Sequence, residues 1–426
     1  MIDKKLLINF SSIIYYLIPI SLLTGPLIPE IILLLINLVF LFYSIKEKDW
    51  FYFNNNFSKF FLIFYIYLIS RSVISENPYL SLESSLFYFR FGLFALATWF
   101  LIINKKNFIK EFALFLIITF IIATIDGYYQ YFNNSTNIFG FESPGIRMSL
   151  TFNDNLTLGS FLARIFPLLF AVVIYSYNKN KLHLIYLFFT FIIIDTLIFL
   201  SGERTAFGLI TLATLFLILV INEYKLMRLF ALAISIIIIT IITILSPEIR
   251  SRNIDGTINQ MTSKITNPLN DEVNDTNVIF SPAHHTLIMT AINMFKDKPL
   301  FGHGPKLYRE LCNNNKYKFN DNGCSTHPHN NYIQALSEIG IVGLGFILIV
   351  LISLSVKILN HIYNKIILSK NILSDYEIAL IACFLLTLWP FFPSQNLFNN
   401  WINIIYYLPV GFYLQKIYSI HHSNSH

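Results

Sequence analysis

The chain has 426 residues, 55% of them hydrophobic, with 42 Phe and only 13% charged positions. A soluble chain carries about 25% charge, so this composition excludes a soluble globular protein. The net charge of +6 comes from basic residues scattered through short loops rather than gathered in one patch, which argues against a nucleic-acid partner and for a role in membrane topology.

Apolar runs near the ~20 residues that a spanning helix needs recur along the chain. Inside lipid each backbone amide needs a partner, which leaves helices or a closed barrel. Runs such as Ile31 to Phe42 and Ile234 to Leu245 lack the period-2 alternation of a barrel strand. The expected fold is an all-α polytopic membrane protein of about 12 transmembrane helices, over 6–24, 27–45, 59–75, 86–104, 110–130, 159–177, 183–200, 205–222, 229–246, 340–358, 375–395 and 400–418. Met1 to Lys5 is basic but no small-residue cleavage site follows, so the first run reads as a signal anchor.

The positive-inside rule orients this layout. Alternate loops hold Lys46, Lys48 and Lys59; Lys105, Lys106 and Lys110; Lys179 and Lys181; Lys225 and Arg228; Lys357, Lys365 and Lys370. Lys4, Lys5 and Lys416 add to both ends, so both termini are expected in the cytoplasm. Arg71 is a mild exception to the alternation, and Arg147 and Arg204 are clear ones. Topology would prefer those two absent, which makes them functional candidates; snorkelling or loop capping is the plain alternative.

The one long polar segment gives a division into 1–246 (helices 1–9), a large periplasmic loop at 247–339 and helices 10–12 with a cytoplasmic tail at 340–426. Within the loop, His284 to Asp297 reads as an amphipathic helix, with Leu287, Ile288, Ala291, Ile292 and Phe295 on one face. Pro299 and Gly302-His303-Gly304-Pro305 end it. Asn267 to Asn277 reads as a polar, mobile stretch, and a second loop helix is expected from Pro328, a favoured first helical residue. Cys312 and Cys324 flank a polar stretch outside the cytoplasm, where a disulfide between them is permitted. Cys383 lies in an apolar run and reads as a small buried hydrophobe.

Cys324-Ser-Thr-His-Pro-His329-Asn330-Asn331 concentrates imidazole and amide groups in that loop. His329, in the first turn of the second loop helix, is the candidate general base, because a helix N-terminus disfavours imidazolium and keeps the ring able to accept a proton. A capping role is the alternative. Asn330 and Asn331 could orient the ring or a substrate. Arg204, in Ser201-Gly-Glu203-Arg204-Thr205, suits a phosphate or diphosphate through bidentate hydrogen bonds; an ion pair with Glu203 would make it structural. Arg147 precedes Ser149-Leu-Thr-Phe-Asn-Asp-Asn155. Arg164, at lipid depth, must face protein or water and could pair with Asp195 or Glu338. His284 and His285 open the amphipathic helix, whose amides favour anions. No metal-ligand spacing occurs in the sequence, so neither a metal nor another cofactor is expected.

His329-Asn330, nine residues, Gly340, two residues and Gly343, together with Pro299-Leu-Phe-Gly-His-Gly-Pro305, Ser201-Gly-Glu-Arg-Thr205 and Thr151-Phe-Asn-Asp-Asn155, resemble the O-antigen ligase and O-antigen polymerase superfamily of bacterial inner membranes. The resemblance spans roughly residues 140 to 345. It implies an inverting, metal-independent glycosyl transferase with a periplasmic active site. The donor it implies is a glycan on undecaprenyl diphosphate, and the acceptor lipid A-core or another glycan. It implies His329 as the base that deprotonates the acceptor and Arg204 as the group that holds the diphosphate. Arg147, His284, His285, Asn330 and Asn155 complete the substrate-binding candidates. Ligases of this kind usually carry a second arginine where this chain has Ala283-His284-His285. Ligation of O-antigen is the first expectation; polymerisation and protein O-glycosylation are alternatives within the class. A transporter or flippase is the reading from another class, and it leaves the His-Asn motif unexplained.

Overall fold

The apolar runs are long, and each closes its own backbone hydrogen bonds by coiling into a helix. The computed structural model describes residues 4–133, 135–143, 147–149, 157–177, 180–265 and 276–422. The candidate Asn155, and most of the polar stretch between Asn267 and Asn277, lie outside these residues. In chain order the main helices are α1 (Lys4–Tyr16), α2 (Leu27–Glu47), α3 (Asn56–Val73), α4 (Pro78–Ser85), α5 (Phe89–Asn104), α6 (Phe108–Phe132) and α7 (Leu158–Tyr177). They continue with α8 (Lys181–Leu200), α9 (Arg204–Val220), α10 (Lys225–Leu245), α11 (Pro282–Asp297), α12 (Asn331–Ile367), α13 (Asp375–Leu388) and α14 (Asn400–His422). The strands are two residues each, Lys264–Ile265 pairing with Thr276–Asn277.

Each expected apolar segment is helical, but among the described residues eight helices are long and apolar enough to cross a membrane: Lys4–Thr24, Leu27–Glu47, Pro78–Asn104, Phe108–Phe132, Leu158–Tyr177, Lys181–Leu200, Lys225–Leu245 and Asn331–Ile367. Such a set makes this a multi-pass membrane protein. The segments on α3, α9, α13 and α14 fall short. α9 has 17 residues, and α14 is less apolar, with Asn400, Asn403, Gln415 and Lys416 in it. α13 stops at Leu388 rather than near 395, because Pro390 and Pro393 cannot donate the amides a continuing helix needs. The chain at 389–396 is left irregular.

Helix α7 is buried on nearly every side, packed by α6, α8, α9 and α13, while α14 lies along α5. Two charges expected elsewhere are used in this interior. Asp195 pairs with Arg228, not with Arg164, through Nη1 at 2.8 Å and Nη2 at 3.0 Å. Arg228 is therefore a buried partner rather than a loop charge. Glu338 instead accepts from the Tyr308 amide at 3.0 Å and the Gln334 side chain at 2.9 Å. Arg164 is buried and donates to the Ser160 carbonyl at 3.4 Å.

The described residues of 247–330 pack against the ends of α3, α8 and α12. Pro247–Arg250 and Gly256–Thr262 make short helical turns. α11 begins at Pro282 under a Ser281 cap and buries Ala291 and Met294 against Tyr308, Cys312 and Tyr317. A Cys312–Cys324 disulfide, Cα atoms 5.0 Å apart, closes this small core. The Tyr308 hydroxyl ties its two sides, donating to Leu287 O at 3.0 Å and Gly323 O at 3.1 Å.

α12 is kinked at Gly340, whose φ is +65°, in the left-handed region glycine alone enters cheaply. The strap at 299–304 docks into that kink. Ile341 and Val342 donate to the Pro299 and Leu300 carbonyls, and His303 and Gly304 donate to those of Ser337 and Glu338. Arg71 clamps the strap from α3, donating to Phe301 O at 2.9 Å and Gly302 O at 2.8 Å, which explains a basic residue at that end of the helix. A Cβ on Gly340 would stand 2.4 Å from Leu300 O. Gly340→Ala therefore combines an unfavourable φ with a clash, and should cost about 1–3 kcal/mol. Thermal unfolding in detergent checks it, and an unchanged midpoint would refute this account of the kink.

Candidate active site

His329 sits just before α12, not in its first turn. The helix starts at Asn331 with Asn330 as N-cap, and His329 takes φ +55°. Pro328 precedes the turn and does not open the helix. The reason is the cap: Asn330 Oδ1 accepts from the amides of Tyr332 at 3.0 Å and Ile333 at 3.1 Å, a geometry only a non-helical residue can present. Asn330 Nδ2 donates to Pro390 O at 2.9 Å. Its amide oxygen and one of its N–H groups are thus engaged in holding the turn.

The irregular 389–396 segment completes this support. Ser394 N donates to His329 O at 2.8 Å, and His327 Nε2 lies 3.3 Å from Ser394 O. The His327 and His329 rings are 4.0 Å apart, and the His284 ring meets His329 edge-on at 5.5 Å. Among the described residues the His329 ring makes no hydrogen bond to protein, so its nitrogens remain for a ligand. Burial, and then the neighbouring His284, lower its pKa to about 4. Burial also lowers His327, to about 3, with His329 the next cause. The neutral imidazole expected from a helix N-terminus is therefore produced by burial and by neighbouring rings.

Of the two histidines that open α11, His284 faces this group. Its Nδ1 pairs with Ser281 Oγ at 2.7 Å, and burial followed by the Arg204 charge lowers its pKa. His285 turns away. Its Nδ1 accepts from the Ile279 amide at 3.3 Å and its ring lies 5.7 Å from that of Phe319.

The second group is cationic. Arg147 and Arg252 run past the same turn glycine: a Cβ on Gly202 would lie 3.4 Å from Arg147 Cγ and 3.6 Å from Arg252 Cγ. Gly202 has φ +68°, which lets the 201–203 turn reverse tightly beneath them. Arg252 Nε donates to Gly202 O at 3.4 Å. Burial, and then the Arg204 and Arg147 charges, lower its pKa. Among the described residues the Arg204 side chain hydrogen-bonds only to Thr257 Oγ1, at 3.5 Å. It lines two cavities, of about 470 and 570 Å³. Glu203 does not neutralise it. That carboxylate caps α7 instead, accepting from Gly159 N at 2.6 Å and Ser160 N at 3.2 Å, and burial raises its pKa to about 7 against the opposing pull of Ser160 and Arg147.

His284 joins the two groups electrostatically: its ring contacts that of His329, and the Arg204 charge lowers its pKa. Neither cavity at Arg204 is lined by His329 among the described residues. Arg252, His327 and Ser394 are participants the sequence analysis did not single out. Arg252 carried the signal used for Arg147 and Arg204, a base in a loop whose topology does not ask for one. Nothing local marks Ser394.

Residues 188–348 match the family model described as O-antigen ligase. That segment belongs to the O-antigen ligase and polymerase superfamily. No curated protein matches the chain. The O-antigen ligase segment contains Arg204, Arg252, His284, His329 and the kink at Gly340, while Arg147 and Ser394 lie beyond its two ends. The match spans 161 of the 426 residues.

Proposed function

We propose that the chain transfers a glycan from undecaprenyl diphosphate to a sugar hydroxyl, with ligation of O-antigen to lipid A-core as the reaction, at the periplasmic face of the inner membrane. The observation that carries this reading is a buried imidazole, His329, whose ring makes no hydrogen bond among the described residues and packs against His284, a ring that feels the charge of Arg204 beside Arg147 and Arg252.

Each group has one task. A ring nitrogen of His329 takes the acceptor's hydroxyl proton as the oxygen attacks the anomeric carbon. The bond from that carbon to the diphosphate oxygen breaks, and the carrier diphosphate leaves with the electron pair. Arg204, Arg147 and Arg252 hold that growing negative charge with charge-assisted hydrogen bonds. Attack from the face opposite the diphosphate inverts the anomeric centre. The neutral state of His329 fits a base, and the diphosphate's charge raises its proton affinity once the donor binds. The clustered cations repel one another, so an anion relieves the site.

Lipopolysaccharide from a strain lacking the chain tests the reading. Long carrier-linked polymer with uncapped core is the expected outcome. Core bearing a single repeat would assign polymerisation instead, and unchanged lipopolysaccharide would remove the proposal.

A further inference from the structure

A cavity of about 350 Å³ opens between α3, α12, α13 and α14, walled by Phe60, Phe64, Ile347, Val350, Tyr407 and Tyr413 among others. On α14 its lining runs from Asn403 to Tyr418, about 22 Å at 1.5 Å per residue, and on the membrane-length helix α12 it includes Phe346, Ile347, Val350 and Leu354. No Lys, Arg, His, Asp or Glu is among the described residues that line it. Its amide residues are Asn403, which bonds to Leu397 O, Asn399 O and Tyr88, and Asn331, which is 6% exposed and whose Oδ1 is buried without a hydrogen-bond partner among the described residues. Asn331 lies two residues from His329. The cavity shares no described lining residue with the two cavities at Arg204.

We propose that this cavity binds the hydrocarbon chain of a membrane-anchored glycolipid acceptor, with Asn331 Oδ1 accepting a hydrogen bond from a hydroxyl of its sugar head. The inference rests on the reading of His329 as the base of glycan transfer, and it deepens that reading by giving the acceptor's hydrocarbon chain a place. Chemistry selects the occupant. An apolar, uncharged slot at membrane depth takes a hydrocarbon chain. The unpartnered Asn331 amide oxygen needs a donor, which a hydroxyl supplies and a diphosphate does not. A carrier diphosphate finds no cation here and three at the arginine cluster. The acceptor and the donor therefore approach His329 from separate cavities.

Photo-cross-linking on the full chain in nanodiscs tests this, using a diazirine-bearing dialkyl glucoside and a diazirine-bearing phosphatidylcholine with the same chains. The glucoside should label the α3 and α12 walls in excess over phosphatidylcholine. Asn331→Ala should lower glucoside labelling about three- to tenfold, the worth of one hydrogen bond, and leave phosphatidylcholine unchanged. Val350→Trp should remove labelling by both. Val350 is 37% exposed, so the larger ring has room, and equal thermal unfolding of each variant confirms an intact fold. Equal labelling by the two probes with no effect of Asn331→Ala would mean ordinary lipid filling, and would overturn the proposal, as would absence of wall labelling. His329→Ala should leave labelling as it is. Normal transfer by that variant alongside selective labelling would remove the base and keep the acceptor site.

Discussion

Glycan transfer by His329→Ala falls by about 10²- to 10⁴-fold, the usual contribution of a positioned base, while the protein stays folded. Folding survives because the ring makes no protein hydrogen bond among the described residues. The turn is held by the Ser394 amide on the His329 carbonyl and by the Asn330 cap, and both are unaffected by loss of the imidazole. Transfer assayed in proteoliposomes, with unfolding measured on the same preparation, reads both quantities. Full activity removes His329 as the base.

The acid limb of the pH profile carries a second signature. With its pKa held down to about 4, the free enzyme's imidazole is neutral above that pH and loses its base form only below it. Bound diphosphate favours the protonated ring and moves the pKa up. The limb in kcat/KM reports the free enzyme and that in kcat the bound one, so the kcat limb should lie at the higher pH. The reverse order would contradict a diphosphate bound near the ring.

Arg204→Ala should lower kcat/KM for the carrier-linked donor by about 10²-fold, and Arg204→Lys by less, since an ammonium keeps the charge but not the bidentate fork. Arg204 is the most exposed of the three guanidiniums to this test. Arg252 is anchored to the Gly202 carbonyl, and Arg147 lies along the 201–203 turn. Arg204 has one long contact to Thr257 and borders two cavities. Donor titration at saturating acceptor checks the order. Wild-type values for both variants would make Arg204 structural.

Much of this was legible in the residues, for reasons that are local. Long apolar runs dictate helices because lipid offers backbone amides no other partner. Arg204 stood out because the positive-inside alternation does not want a base there. The apolar spacing over 284–297 encodes α11, although the helix opens two residues earlier, at Pro282 under a Ser281 cap. His329 was legible as a candidate, but the origin of its neutrality was not. Helix position suggested the dipole, whereas burial and His284 supply it.

The long-range pairings were settled only by packing. Asp195 chose Arg228 over Arg164 because α8 and α10 lie side by side. Glu203 left its sequence neighbour Arg204 to cap α7. The loop after α13 brought Ser394 and Pro390 under His329 from more than 60 residues away. Spacing along a chain encodes a helix because its bonds join residues four apart. It encodes no meeting of distant side chains, which depends on how whole helices pack.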